Sequence, residues 1–224
     1  MKGRDRILLD LDDTLYACAP AEAGATAALV SAVAKALDRA PADVEAAWVA
    51  ARGSVKKRID GRGSSHSRLL YAAELVHALG RPDTLVNVRA WERAYWSAFL
   101  AAARVRPRAR AFLAAVRAAG AKVAIVSDLT LEVQLYKLET FGILPLIDAL
   151  AVSEEVPLDK PDEAIFLLAM ERLHTTVDAC VMVGDHDGKD GEGARRLAIP
   201  YFRIDAEDHD GTGFDTLLQQ LGMS

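Results

Sequence analysis

Asp10 and Asp12 follow three apolar residues in the segment Ile7-Leu8-Leu9-Asp10-Leu11-Asp12-Asp13-Thr14. Two positions apart in extended chain, their side chains point to the same side. Carboxylates so placed repel each other unless they share a proton or a cation. Far along the chain Asp185 and Asp190 form a second acidic pair, just after the apolar run 179–183. Ser127 closes another apolar run, 123–126, and Lys160 stands in the loop before Pro161-Asp162. Four converging carboxylates make a hard oxygen site. Such a site suits Mg²⁺, which takes few protein ligands and keeps places for water and phosphate oxygens.

The elements that must position these residues are legible from hydrophobic periodicity. Residues 6–9, 122–126, 149–152, 179–183 and 201–204 read as short buried strands, and helical patterns occupy 109–119, 131–141, 162–173 and about 192–197. Strands alternating with helices predict an α/β fold, a Rossmann-like parallel sheet covered by helices on both faces. In such sheets sites lie beyond the carboxyl ends of the strands, where Asp10, Ser127 and Asp185 fall. Residues 16–105 carry no strand signal. Helices are predicted there at 21–39, from Pro41 to a stop near Gly53, at 66–78 and at 82–103, with a basic, glycine-containing stretch at 53–65. The expected organisation is a core made of 1–15 and 106–224, interrupted by an all-helical insertion at 16–105.

Half the 224 residues are apolar (51 %), enough for a sizeable core without disulfides. Lys and Arg number 27 against 32 Asp and Glu, a net charge of −5. That balance excludes a general nucleic-acid binder but not a small anion held in one basic pocket. Cys18 and Cys180 lack a metal-ligand spacing and read as reduced thiols of a cytoplasmic protein. The apolar run after the basic N-terminus is too short for a signal-peptide core, and no stretch reaches membrane-spanning length. The expected partner is a small molecule, with no nucleic acid and no membrane, and the chain is expected as a monomer or homodimer.

Taken together, the four polar clusters resemble the haloacid dehalogenase-like superfamily. Its first motif, Asp-x-Asp-x-Thr after a strand, is matched by Asp10-Leu11-Asp12-Asp13-Thr14. Its second, a strand ending in Ser or Thr, is matched by Ser127; its third by Lys160-Pro161; its fourth by Gly184-Asp185 with Asp190. The resemblance implies Mg²⁺-dependent hydrolysis of a small phosphorylated metabolite through an aspartyl-phosphate. Asp10 would be the nucleophile and Asp12 the general acid and base. Ser127, Lys160 and Thr14 would bind phosphate. The metal would be held by Asp10, Asp185, Asp190 and the backbone carbonyl of Asp12. Dehalogenases of the family lack an Asp at the position of Asp12, because halide leaves without a proton. Phosphomutases often carry Val where Thr14 stands. The helical insertion resembles a cap that selects substrate, for which Arg62, His66 and Arg68 are the candidate contacts.

Rival readings are weaker. Residues 185–191 superficially suggest a calcium loop, but Lys189 stands where an oxygen ligand is needed and a strand precedes it. Gly188, Gly191 and Gly193 are in the wrong order for a dinucleotide loop and read instead as allowing a tight turn and close helix packing. A mutase on the same scaffold, or a non-catalytic binding module, are the functional alternatives.

Overall fold

The computed structural model describes Met1 and residues 3–223, in two compact units: Met1–Ala17 with Arg104–Ser224, and Cys18–Ala103.

The unit Cys18–Ala103 is helical: α1 (Cys18–Leu37), α2 (Pro41–Ile59), α3 (Arg68–Ala78) and α4 (Val88–Ala102). Its core is aromatic. Trp91, Tyr95, Trp96 and Phe99 of α4 are buried, and Trp48 of α2 meets Tyr71 of α3 edge-on with ring centroids 5.8 Å apart. Offset and edge-on rings of this kind add to the stabilisation from burial alone. Two expectations need correction here. α2 does not stop near Gly53 but runs on to Ile59, so Lys56, Lys57 and Arg58 are helical. Gly53 lies on the exposed face, where a β-carbon would meet nothing within 4 Å outside the helix's own backbone, while Val55, two residues on, is fully buried. Burying Val55 offsets the roughly 1 kcal/mol that a helical glycine costs. The predicted helix at 82–103 is divided: Pro82–Asn87 forms tight 3₁₀ turns before α4 begins.

The other unit carries the sheet. Five strands, β1 (Arg6–Leu9), β2 (Lys122–Ser127), β3 (Ala149–Val152), β4 (Cys180–Gly184) and β5 (Tyr201–Arg203), pair in parallel in the order β3-β2-β1-β4-β5. Ile7, Leu8 and Leu9 are all inaccessible, as are Ala124, Ile125 and Val126. Unbroken apolar runs are what a strand needs when both faces are covered. The covering helices are α5 (Pro107–Ala118), α6 (Leu131–Thr140), α7 (Glu163–Arg172), α8 (Glu192–Arg196) and α9 (Thr212–Leu221). Leu8, Ala124, Val126 and Ala151 pack with Ile165, Phe166 and Ala169 of α7. Phe112 of α5 and Phe214 of α9 meet with centroids 5.1 Å apart. α9 was not foreseen: it is short and follows the acidic stretch 205–210, yet Phe214, Leu217 and Leu221 bury one side of it. Gly193 lets α8 approach α7, since a β-carbon there would fall 2.3 Å from the Phe166 ring. No helix among the described residues is long and apolar enough to cross a membrane.

Candidate active site

β1 lies between β2 and β4, where the strand connections switch from one side of the sheet to the other. Ligand sites of open parallel sheets form at that crevice. Asp10, the first residue beyond β1, is anchored there by its own N–H, which donates to the Val183 carbonyl of β4 at 2.9 Å. Lys160 donates from Nζ to Asp10 Oδ1 (2.6 Å), Asp190 Oδ1 (2.7 Å) and the Val126 carbonyl (3.0 Å), so each of its three N–H groups has an acceptor. Thr14 Oγ1 lies 2.8 Å from Asp10 Oδ2 and 3.2 Å from Asp185 Oδ1, and bridges the two carboxylates. Asp190 completes the group, its Oδ2 accepting from the His186 N–H at 3.1 Å.

One carboxylate oxygen from each of Asp10, Asp185 and Asp190 falls within 4.8 Å of the other two. Burial first, then the charges of Asp190 and Asp12, push the Asp10 carboxyl well above the usual range despite the attraction of Lys160. Asp185 is raised too, by burial and by the charges of Asp190 and Asp13. Burial works against the Lys160 ammonium, but Asp10, Asp190 and Asp128 outweigh it and hold its pKa well above normal. Three buried or half-buried carboxylates around one ammonium leave negative charge uncompensated. Hard oxygen donors with a charge deficit are what a divalent cation needs, so these residues fit a metal.

Asp12 does not join them, which corrects the expectation of four converging carboxylates. Its side chain faces α6, where Lys137 Nζ donates to Oδ1 at 2.6 Å and Gln134 Nε2 to Oδ2 at 3.2 Å, with the Tyr16 hydroxyl also on Oδ1. Burial pushes the Asp12 carboxyl up, but the Lys137 charge and the three donors outweigh it and hold it below the usual range. Any part of Asp12 in metal binding therefore falls to its backbone carbonyl. Ser127, fully buried at the end of β2, accepts from Gln134 Nε2 at 2.6 Å. Lys137 and Gln134 escaped the sequence reading because polar residues on an amphipathic helix ordinarily face solvent; only the site shows that they point inward.

Of two acidic neighbours, Asp13 acts through its backbone and Asp128 through its carboxylate. Asp13 holds a left-handed conformation (φ 62°), and its carbonyl accepts from the Arg106 guanidinium at 2.7 Å. Asp128 accepts from the Lys160 N–H at 2.9 Å and from Lys189 Nζ at 2.8 Å. Arg62, His66 and Arg68 belong to the helical unit. Arg62 is exposed and His66 half-buried. Arg68 is committed inside that unit: its guanidinium lies 5.3 Å from the Trp96 ring centre and 5.4 Å from that of Tyr95, and donates to Glu22 and the His66 carbonyl. A groove of about 860 Å³ runs along α1 and α2, lined by Glu22, Lys35, Trp48 and Arg52 among others, and none of the motif residues lines it.

Gly184 makes the acidic group possible. A β-carbon there would sit 2.3 Å from Asp190 Oδ2 and 2.5 Å from its carboxyl carbon. Gly184→Ala is therefore expected to displace Asp190 and raise the Mg²⁺ concentration for half-maximal thermal stabilisation by about 10–100-fold. An unchanged Mg²⁺ titration would show that Asp190 is not needed to hold the ion.

Over residues 5–197 the chain matches the family model described as haloacid dehalogenase-like hydrolase. It is 35 % identical to the ribulose-1,5-bisphosphate 5-phosphatase of Halopiger xanaduensis, over 92 % of this chain and 87 % of that one. It is 30 % identical to the glyceraldehyde 3-phosphate phosphatase of Methanocaldococcus jannaschii, over 88 % and 83 % of the two chains. Among solved structures, a HAD phosphatase from Thermococcus onnurineus shares the fold at a TM-score of 0.74, with 21 % identity over 100 % of this chain and 99 % of that one.

Proposed function

Since the chain belongs to the haloacid dehalogenase-like hydrolases, we propose that it is a Mg²⁺-dependent phosphatase of small phosphorylated metabolites, acting from the carboxylate of Asp10. The relatives named for phosphorylated sugars extend the proposal to a sugar phosphate or similar small monoester. The observation that carries the reading is Lys160, whose ammonium is shared by Asp10 and Asp190 in a buried group that also holds Asp185 within ion-binding distance.

Asp10 attacks phosphorus, forming the aspartyl-phosphate as the bond to the leaving oxygen breaks. Asp12 gives that oxygen a proton, then takes one from the water that hydrolyses the intermediate. The net change is ester and water to alcohol and phosphate. The Lys137 charge and the donors around Asp12 favour its carboxylate, the form that activates water. Phosphate brought beside it favours the protonated form, because like charges disfavour ionisation. Lys160 and Ser127 orient the phosphate, with Thr14 fixing Asp10 and Asp185 relative to each other. Asp10, Asp185 and Asp190 would hold Mg²⁺, with the carbonyl of Asp12 as a further oxygen. When bound, the ion supplies charge that offsets both the carboxylates and the phosphate oxygens. The helical unit would serve as a cap that selects the metabolite, with Arg62 and His66 as contacts and Arg68 acting through the helical unit's own packing.

Phosphate release from a panel of phosphorylated metabolites, with and without Mg²⁺, tests the reading. Stoichiometric free phosphate from one or more monoesters is expected. Transfer within a sugar without release would favour a mutase. Asp12→Asn is expected to slow alkyl phosphates by about 10²–10⁴-fold and activated aryl phosphates far less, since only a poor leaving group needs the proton. Equal losses on both would remove Asp12 from proton transfer.

A further inference from the structure

We propose that Gln134 and Lys137 of α6 are positioning residues that, with Tyr16, aim the Asp12 carboxylate at the leaving oxygen. The inference rests on the phosphatase reading above and adds the device that orients its acid–base group.

Gln134 and Lys137 are three residues apart and so share one face of α6. Both are buried, at 0 % and 2 % exposure. A buried lysine is costly unless it is paired, and an apolar residue would pack this helix against the sheet with less expense. Lys137 Nζ instead lies 2.6 Å from Asp12 Oδ1 and 5.8 Å from the ring centre of Tyr16. The Tyr16 hydroxyl donates to the same oxygen, and its ring packs on Phe141 at a centroid distance of 4.9 Å. Gln134 takes the other oxygen at 3.2 Å. Both oxygens are thus gripped, yet the Asp12 side chain keeps 30 % of its surface open. A carboxylate held firmly but left accessible is arranged for use rather than for stability.

Gln134 has a second partner. The same Nε2 that donates to Asp12 lies 2.6 Å from Ser127 Oγ, so one amide sets the spacing between the acid–base group and a phosphate contact. Its Oε1 is buried with no hydrogen-bond partner among the described residues. An unsatisfied buried oxygen carries a cost that packing alone does not explain. Fixing the proton donor and the phosphate relative to each other is where such a cost yields rate, because misplacement by a fraction of an ångström is felt in the transition state.

The test is a leaving-group comparison on Lys137→Met and Gln134→Met, with one alkyl phosphate and one activated aryl phosphate as probes. Each variant is expected to lose roughly 10–100-fold in kcat on the alkyl ester, with KM changed by less than about threefold, and to lose little on the aryl ester. Lys137→Arg, which keeps the cation, is expected to recover most of the loss. Introducing Lys137→Met into Asp12→Asn is expected to cost almost nothing further, because the two act as one unit. Equal losses on both esters, or full additivity with Asp12→Asn, overturn the proposal. Should Lys137→Met give no cooperative melt, Gln134→Met and Lys137→Arg carry the same comparison. A wild-type protein that releases phosphate from neither ester overturns the functional reading instead, and that failure is visible before any variant is made.

Discussion

Asp10→Asn is expected to bring turnover down by about 10⁴-fold or more while the metal-free protein melts no lower than wild type. The first half follows from the loss of the group proposed to form the covalent intermediate, on the scale seen when a nucleophile is removed. The second half follows from linkage. The Asp10 carboxyl is raised in the fold, by burial and by the charges of Asp190 and Asp12. A carboxyl raised in the native state binds protons there more readily than in the unfolded chain. Stability therefore falls as pH rises from the ordinary carboxylate range towards the raised native pKa. Asparagine removes that penalty and can still accept from Lys160 through its amide oxygen. In EDTA, the wild type is expected to lose stability over that pH interval and the variant to lose less. Mg²⁺ is expected to reverse the ranking, because the variant has one fewer charged ligand. Thermal melts of both proteins across pH, with EDTA and with Mg²⁺, check the signs. A variant that melts well below the wild type in EDTA would mean that Asp10 stabilises the fold through Lys160 more than it strains it. Retained turnover would end its assignment as nucleophile.

How much of this could be read before the structure depends on which physical signal each residue leaves in the chain. β1, β2 and β4 are buried on both faces, so they appear as unbroken apolar runs. Asp10, Ser127 and Asp185 stand out because a charge or hydroxyl follows such a run directly. Lys160 has no such marker, because it stands in a loop rather than directly after an apolar run. The direction of Asp12 was not legible. Period-two alternation puts its side chain with that of Asp10, but the donors that claim it come from α6 and Tyr16, which the alternation cannot reveal. Asp13 takes a positive φ, and Asp12 pairs through its backbone with Tyr16. The two carboxylates then go to different partners. α6 conceals its part for a different reason. Leu138 is apolar and buried as expected, but Gln134 and Lys137 break the binary pattern by sharing the inward face. A local pattern broken without local compensation is what a functional position leaves behind, and it is recognisable only once the neighbours are known. α2 shows the converse. Gly53 reads as a stop, and the helix continues because the burial of Val55 outweighs propensity.

Lys160→Met is expected to have the largest combined effect on stability and catalysis. The ammonium is 3 % exposed and sits between carboxylates that are 7 % and 1 % exposed. Methionine fills a similar volume, so packing is largely kept while the charge is deleted. Removing one partner from a buried ion group typically costs about 3–5 kcal/mol, because the remaining charges have neither water nor a counter-ion. Here two carboxylates lose their shared cation at once, and Asp185 stands close by. The metal-free variant is therefore expected to melt far below wild type at neutral pH and to recover as pH falls, since protonating Asp10, whose carboxyl burial already pushes up, relieves the repulsion. Mg²⁺ is expected to stabilise the variant more than it stabilises the wild type, because the ion meets the same carboxylates without a competing ammonium. Turnover should remain low even with saturating Mg²⁺, since Lys160 is also proposed to orient and neutralise the transferring phosphate. These three observables separate its roles. A Mg²⁺ shift no larger than in wild type would mean that Lys160 and the ion do not share the carboxylates. Wild-type turnover in the Mg²⁺-stabilised variant would confine Lys160 to holding the fold together.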